Sequence, residues 1–186
     1  GDGTLEIAQH HLKGTKIEIL VNDPFFRKIK ASYVFSKDTE IAYIEMAEAS
    51  GLKRIAENEK NVMRATSFGT GELILHAIEK GAKHILLGIG GSATNDCGMG
   101  MAAALGYSFL DANGQKLKPI GANLTQVETI DVSNVQEKLK NIKFSIACDV
   151  QNPLYGNEGA AFVYAEQKGA SIENILQLDR GLQHFA

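Results

Sequence analysis

Residues 86–100, Leu-Leu-Gly-Ile-Gly-Gly-Ser-Ala-Thr-Asn-Asp-Cys-Gly-Met-Gly, limit the folds open to this chain more than any other stretch. Just before them, His84-Ile-Leu-Leu opens a short apolar run of the kind that makes a buried strand. From Met99 onward the chain is rich in good helix formers. Between the two lie Gly90 and Gly91, then a row of helix-capping side chains: Ser92, Thr94, Asn95 and Asp96. Glycine lets the backbone turn tightly and lets a ligand approach it closely. A helix starting just beyond offers N–H groups and partial positive charge to an anion. The stretch predicts strand, glycine loop and helix, an anion-binding corner on an α/β scaffold.

Well-known glycine loops fit poorly. No Gly-Lys-Ser/Thr follows the glycines, so this is not a Walker A loop. Gly88, Gly90 and Ala93 match Gly-x-Gly-x-x-Ala, with Asp111 about twenty residues on. That keeps a nicotinamide-dependent oxidoreductase as the more remote alternative. Against it, Gly98 and Gly100 interrupt the following helix, and Asp111-Ala-Asn-Gly reads as a turn. A third reading gives the glycines no role beyond turn geometry.

The 186 residues suit one domain, or one domain plus part of another. A hydrophobic content of 44% supports a buried core, and a net charge of −3 gives no electrostatic case for nucleic acid or an anionic membrane. No apolar run approaches the roughly 20 residues of a membrane span, and none reads as a signal peptide. Cys97 and Cys148 are far apart and form no Cys-x-x-Cys, which favours reduced thiols and a cytoplasmic protein. The five histidines show no metal-ligand spacing, and no Gly-x-Ser-x-Gly elbow is present.

Taken in order, residues 4–11 predict a short helix, and 16–21 and 28–35 two strands suited to antiparallel pairing around the Asn22-Asp-Pro turn. Residues 42–50 read as one helix ended by Gly51. Within it, Glu48 suits a solvated face, while Glu45 sits among apolar residues and is a candidate for a structural or binding role. Thr66-Ser-Phe-Gly-Thr-Gly-Glu is a second glycine- and hydroxyl-rich turn, where Ser67 or Thr70 caps a helix over 73–80. Asp111-Ala-Asn-Gly predicts a hairpin between 107–110 and 115–117. A short strand follows at 127–132, then a brief helix over 135–140 capped by Ser133. Residues 143–148 form an apolar strand with Asp149 at its carboxyl end, followed by a sharp turn at Asn152-Pro. In α/β sheets the ligand crevice lies at such strand ends. Ser171 caps a final helix whose apolar face carries Ile172, Ile175, Leu176 and Leu178.

The loop Gly-Ile-Gly-Gly-Ser-Ala-Thr-Asn-Asp at 88–96 resembles the signature of bacterial-type glycerate kinases. Other stretches resemble the same family in the same order. They are Gly-Asp-Gly-Thr at 1–4, Ile-Glu-Met-Ala-Glu-Ala-Ser-Gly-Leu at 44–52, and Thr-Ser-Phe-Gly-Thr-Gly-Glu-Leu-Ile at 66–74. Ala-Cys-Asp-Val-Gln-Asn-Pro-Leu at 147–154 follows, with Gly-Ala-Ala at 159–161 and Gln-Lys-Gly-Ala at 167–170. The resemblance implies a chain about twice as long with two α/β domains, the first built from both chain ends. On that basis residues 1–11 are expected to be a stub of the first domain. Residues 12–186 are expected to be most of the second, a mixed sheet with helices and strand–glycine loop–helix ligand corners.

The implied activity is ATP-dependent phosphorylation of glycerate to phosphoglycerate, with ATP and Mg2+ as cofactors. The alternative is a non-catalytic module that binds a small carboxylate or phosphate. Phosphoryl transfer asks a protein to hold the polyphosphate, the acceptor carboxylate and a base near the hydroxyl. Gly90, Gly91, Ser92, Thr94 and Asn95 are candidates for binding substrate or nucleotide, with Ser67, Thr70, Asn152, Lys168 and Asp2 beside them. Asp149 and Asp96 are the acids next to such loops, one a candidate base and the other a magnesium or hydroxyl ligand; Asp149 is favoured as base because it ends a strand. Cys97 stands where relatives usually carry glycine, and its place near a helix N-terminus predicts a lowered thiol pKa.

Overall fold

A computed structural model describes residues 4–135 and 137–186. The chain opens with α1 (Thr4–Leu12), which lies against the sheet that follows. Strands β1 (Thr15–Asn22) and β2 (Lys28–Ser36) pair antiparallel around the Asp23–Arg27 turn, in register from Thr15 opposite Phe35 to Asn22 opposite Lys28. β3 (Ile41–Glu45) adds antiparallel to β2.

Residues 42–50 do not form the single helix that their composition predicts. Ile41 to Glu45 are strand β3, and only α2 (Met46–Ser50) is helical. Ala, Glu and Met favour helix, but Tyr43 and Ile44 lie between β2 and a parallel neighbour, and pairing and burial override local propensity. Glu48 is not on a solvated face either. It accepts a hydrogen bond from the Ser32 N–H at 3.2 Å and from Arg54 at 3.3 Å.

Helix α3 (Phe68–Glu79) starts earlier than its apolar periodicity suggests and buries Leu73, Ile74, Ala77 and Ile78 against the sheet. Its Glu72 takes the Asn22 N–H at 2.5 Å and Nδ2 at 2.9 Å, tying the helix to the end of β1. β4 (His84–Gly88) then enters beside β3 in parallel, with Ile85 and Leu87 buried. Beyond the glycine loop, the short helix α4 (Met99–Ala104) leads to β5 (Ser108–Leu110), which pairs with β6 (Thr129–Asp131) in a separate antiparallel ribbon. The predicted hairpin is thus only partly made: Leu110 bridges Lys116 across the turn, and the lasting partner of β5 is β6. Having no parallel strand at Asp111 removes the basis of the dinucleotide-fold reading.

The helical segment after β6 is a 3-10 turn at Glu137–Asn141, and Gln136 of the expected span lies outside the described residues. Ser133 does not cap it; the Ser133 hydroxyl donates back to Asp131 at 2.6 Å. β7 (Lys143–Ala147) pairs in parallel with β4 and completes the order β1-β2-β3-β4-β7. It lies at the end of that order, and its Phe144 and Ile146 are 45% and 63% exposed. Helix α5 (Ala160–Tyr164), a 3-10 turn at Glu166–Lys168 and α6 (Ile172–Phe185) follow.

Ser171 caps α6 as expected, in a reciprocal box with Asn174. The buried face of α6 is rotated from the expected one: Leu178, Gly181 and Leu182 are buried, while Ile172 and Leu176 are exposed. Two apolar clusters result. One lies between the sheet and α3; the other gathers Val62, Met99, Phe109, Leu124, Leu178 and Leu182. The glycine loop links them, with Ile89 packed against the first and Cys97 against the second.

Candidate functional site

The parallel register puts three strand ends in one row. Glu45 lies opposite Gly88, and Gly88 opposite Ala147, so β3, β4 and β7 finish together. The crevice of an α/β sheet opens at that edge. There the chain presents Glu45, the loop at 89–98, and Asp149 two residues past β7. Glu45 is buried and accepts a hydrogen bond from the Tyr43 hydroxyl. A Cβ on Gly88 would sit 3.1 Å from Glu45 Oε1, a closeness that glycine allows without strain.

The loop is held on both sides. Leu52 N–H donates to Gly91 O, and Ala93 N–H to Ser50 O, each at 2.9 Å. Gly91 has φ +72°, the left-handed region where side chains are strained. The N–H groups of Gly90 and Gly91 meet no acceptor among the described residues. These loop amides, and not a helix N-terminus, are the free backbone donors of the site among the described residues.

The start of α4 is already filled by the protein. Asp96 is 1% exposed, and its Oδ2 accepts from Ser67 N–H and Oγ at 2.7 Å each and from Gly100 N–H at 3.1 Å. Its Oδ1 takes Gly98 N–H at 3.3 Å, and its backbone carbonyl takes Met99 N–H at 2.8 Å. Ser67 Oγ accepts Met101 N–H at 2.9 Å. So Ser67 does not cap its own helix α3; it is bonded to Asp96 and to the first turn of α4. Gly100 is required here, because a Cβ would fall 2.2 Å from Thr66 Oγ1 and 2.7 Å from Ser67 N. Thr70 is likewise interior, its hydroxyl 2.8 Å from that of Ser50.

Cys97 has φ +51°, which explains in physical terms why glycine would suit the position. Its thiol pKa is raised, first by burial and then by the Asp96 charge, opposite to the shift that helix proximity predicts.

Lys168 reaches the loop from the far side and is 7% exposed, although its sequence setting resembles a solvated turn. Its ammonium donates to Thr94 O at 2.7 Å, Ser92 Oγ at 3.1 Å and Asn95 Oδ1 at 3.4 Å. Burial pushes its pKa down to about 8, against the pull of Asp96. Asn95 Nδ2 is buried without a partner among the described residues.

Asp149 is exposed and makes no hydrogen bond or ion pair among the described residues. Asn152 is exposed too. Its Nδ2 donates to Glu158 O at 3.0 Å and its Oδ1 accepts from the Tyr164 hydroxyl at 2.5 Å, which closes the loop beyond Asp149. Asp2 lies outside the described residues. Hollows of about 390 and 280 Å3, lined around Leu139 and around Arg64, contain none of the residues predicted for the site.

Among the described residues no three His, Cys, Asp or Glu side chains converge to hold a metal. The Asp96 carboxylate is filled by its donors, which makes it a poor magnesium ligand. Asp149 offers one exposed carboxylate, and magnesium is content with one or two when phosphates and water supply the rest. Glu45, a candidate already from its apolar neighbours, stands at the end of β3 and not within a helix. Its signal is the apolar run around it, which marks a strand end in a parallel sheet.

Comparison with known proteins covers the whole chain. The model of the glycerate kinase family matches residues 1–186. A protein named glycerate kinase from Bacillus cereus is 46% identical over all of this chain and 49% of its own length. One named glycerate 2-kinase from Escherichia coli is 44% identical over the same shares. A crystal structure assigned to glycerate kinase 2 of Salmonella typhimurium LT2 superposes with a TM-score of 0.96 at 42% identity, covering 100% of this chain and 50% of that one. The chain spans about half the length of the curated relatives it matches.

Proposed function

The chain belongs to the glycerate kinase family, and we propose that it carries one wall of a cleft in which glycerate is phosphorylated by ATP. The observation that carries this reading is the common edge of β3, β4 and β7, where unpaired loop amides, a buried lysine and an exposed acid lie at aligned strand ends.

In this reading the loop at 90–95 holds anionic oxygens, with Gly90 and Gly91 offering N–H groups and Lys168 a positive charge. Thr94 contributes its carbonyl to Lys168 and so fixes the loop's shape. Ser67 and Thr70 are interior supports of the same corner. Asp149 is the base: as the glycerate hydroxyl oxygen bonds to the γ-phosphorus, the bond to the ADP oxygen breaks, and the hydroxyl proton passes to the Asp149 carboxylate. Asp96 acts through position, locking the loop to the 66–68 turn. Magnesium, when bound, would neutralise charge on the transferred phosphoryl group; Asp149 is the exposed carboxylate of this wall that could hold it, as an alternative to the role of base. A cytoplasmic setting belongs to the same proposal and rests on the two free thiols.

The test is glycerate-dependent ADP release by a polypeptide of the relatives' length that includes these residues, with residues 1–186 alone as control. Turnover of roughly 1–100 per second is expected for the former. The control is expected to show none, because in-line alignment needs both walls of the cleft. Anion binding without ADP release by the longer polypeptide would favour a non-catalytic carboxylate- or phosphate-binding module. Kinase-like turnover by residues 1–186 would mean that this wall alone holds the whole site.

A further inference from the structure

Lys168 and Asn95 present an imbalance that the fold does not resolve by itself. The lysine is 7% exposed, and the three groups around its ammonium, Ser92 Oγ, Thr94 O and Asn95 Oδ1, are all neutral oxygens. No carboxylate lies within ion-pair distance of it among the described residues, because Asp96 turns its oxygens to Ser67, Gly98 and Gly100. A buried charge without a counter-ion is costly.

Asn95 points the same way. Its Oδ1 faces the ammonium, which fixes the amide, since a flip would bring two donors together. Its Nδ2 is therefore a donor, and it is buried with no partner among the described residues, in a side chain 7% exposed. The N–H groups of Gly90 and Gly91 in the same loop also lack acceptors there. One positive charge and several unpaired N–H groups around one loop are complementary to an oxyanion.

We propose that Lys168 and Asn95 form an oxyanion subsite that takes an anionic oxygen of a substrate, either a phosphoryl oxygen of the nucleotide or the carboxylate of the acid. The proposal rests on the kinase reading above and names the side chains that meet charge within it. A bound oxyanion supplies at once a counter-ion at contact distance, which Asp96 does not, and the missing acceptor. Its negative charge also opposes the desolvation that depresses Lys168.

Two variants test it in a polypeptide of the relatives' length that includes these residues. Asn95→Asp puts a carboxylate where an oxygen already lies 3.4 Å from the ammonium, pairing the lysine internally and repelling an anion. Lys168→Met keeps the aliphatic stem and removes the charge. Calorimetric titration with ATP, glycerate and inorganic phosphate is combined with thermal melting. Asn95→Asp is expected to raise Tm while weakening one substrate about 10- to 100-fold, the worth of a hydrogen bond to a charged group. Lys168→Met is expected to weaken the same substrate by a similar factor. A purely structural latch does not move stability and affinity in opposite directions. Loss confined to ATP assigns the subsite to the nucleotide, and loss confined to glycerate assigns it to the carboxylate.

Unchanged affinity for all three anions in folded Asn95→Asp overturns the proposal and leaves a buried water as the partner of Asn95. The kinase reading fails separately. If the unaltered polypeptide releases no ADP with glycerate, yet phosphate binds it and neither variant, the subsite stands and that reading falls.

Discussion

Asp96 and Asp149 both lie beside the strand-end edge, and they could hardly be placed more differently. Asp96 is 1% exposed and meets Ser67, Gly98 and Gly100, so every lone pair that matters has a donor. Asp149 is exposed on the chain after β7 and meets none among the described residues. A carboxylate saturated by the protein is committed to architecture. One left to solvent at a crevice remains available to a substrate. Proximity to a glycine loop does not by itself leave an acid free for chemistry; unspent hydrogen-bonding capacity does.

Asp96→Ala is expected to be the most damaging substitution. It would strand the Ser67 N–H and hydroxyl and the Gly100 N–H in the interior, at an expected cost of about 3–5 kcal/mol, as for other broken buried networks. Urea unfolding monitored by circular dichroism measures it, and a stable but inactive variant would hand the chemistry to Asp96.

Asp149→Asn comes next. It is expected to leave Tm within a few degrees while lowering any glycerate-dependent turnover of a polypeptide of the relatives' length at least about 100-fold, the usual worth of a general base. Near-normal turnover would move the base elsewhere along the edge, with buried Glu45 the adjacent acid.

What was legible in the sequence follows the same division. The run His84-Ile-Leu-Leu, the loop glycines and the Asp149 strand end are local signals, and each lies where its pattern predicts. The parallel neighbour of β3 is not local, so residues 42–50 carry helix formers in a segment whose first half is a strand. Lys168 looks solvated because its burial depends on a loop more than 70 residues earlier in the chain. Asp96 and Ser67 each look like a cap for the helix that follows. Only the fold reveals that the two bond to each other, 29 residues apart.

Smaller changes sharpen the contrast within the loop itself. Gly91→Val at φ +72° puts a branched side chain into strained backbone beside the free amides. Substrate or nucleotide affinity is expected to fall more than about tenfold while the fold survives, since each charge-assisted bond lost is worth that much. Unchanged titration isotherms would reduce the glycines to turn geometry.

The smallest expected effect is Cys97→Gly. It removes a left-handed strain of about 1 kcal/mol and restores comparable chain entropy to the unfolded state. Stability should move by less than about 1 kcal/mol in either direction, read from the denaturation midpoint.

The outermost strand bears on how the molecule behaves in a tube. Along β7 a line of backbone amides and carbonyls runs beside the exposed Phe144 and Ile146, with no charge between Lys143 and the end of the strand. Such an edge accepts another strand as readily as it donated to β4. Concentration, more than temperature, should therefore govern how long residues 1–186 stay dispersed, and dilute solutions with a little urea suit them better than concentrated cold storage.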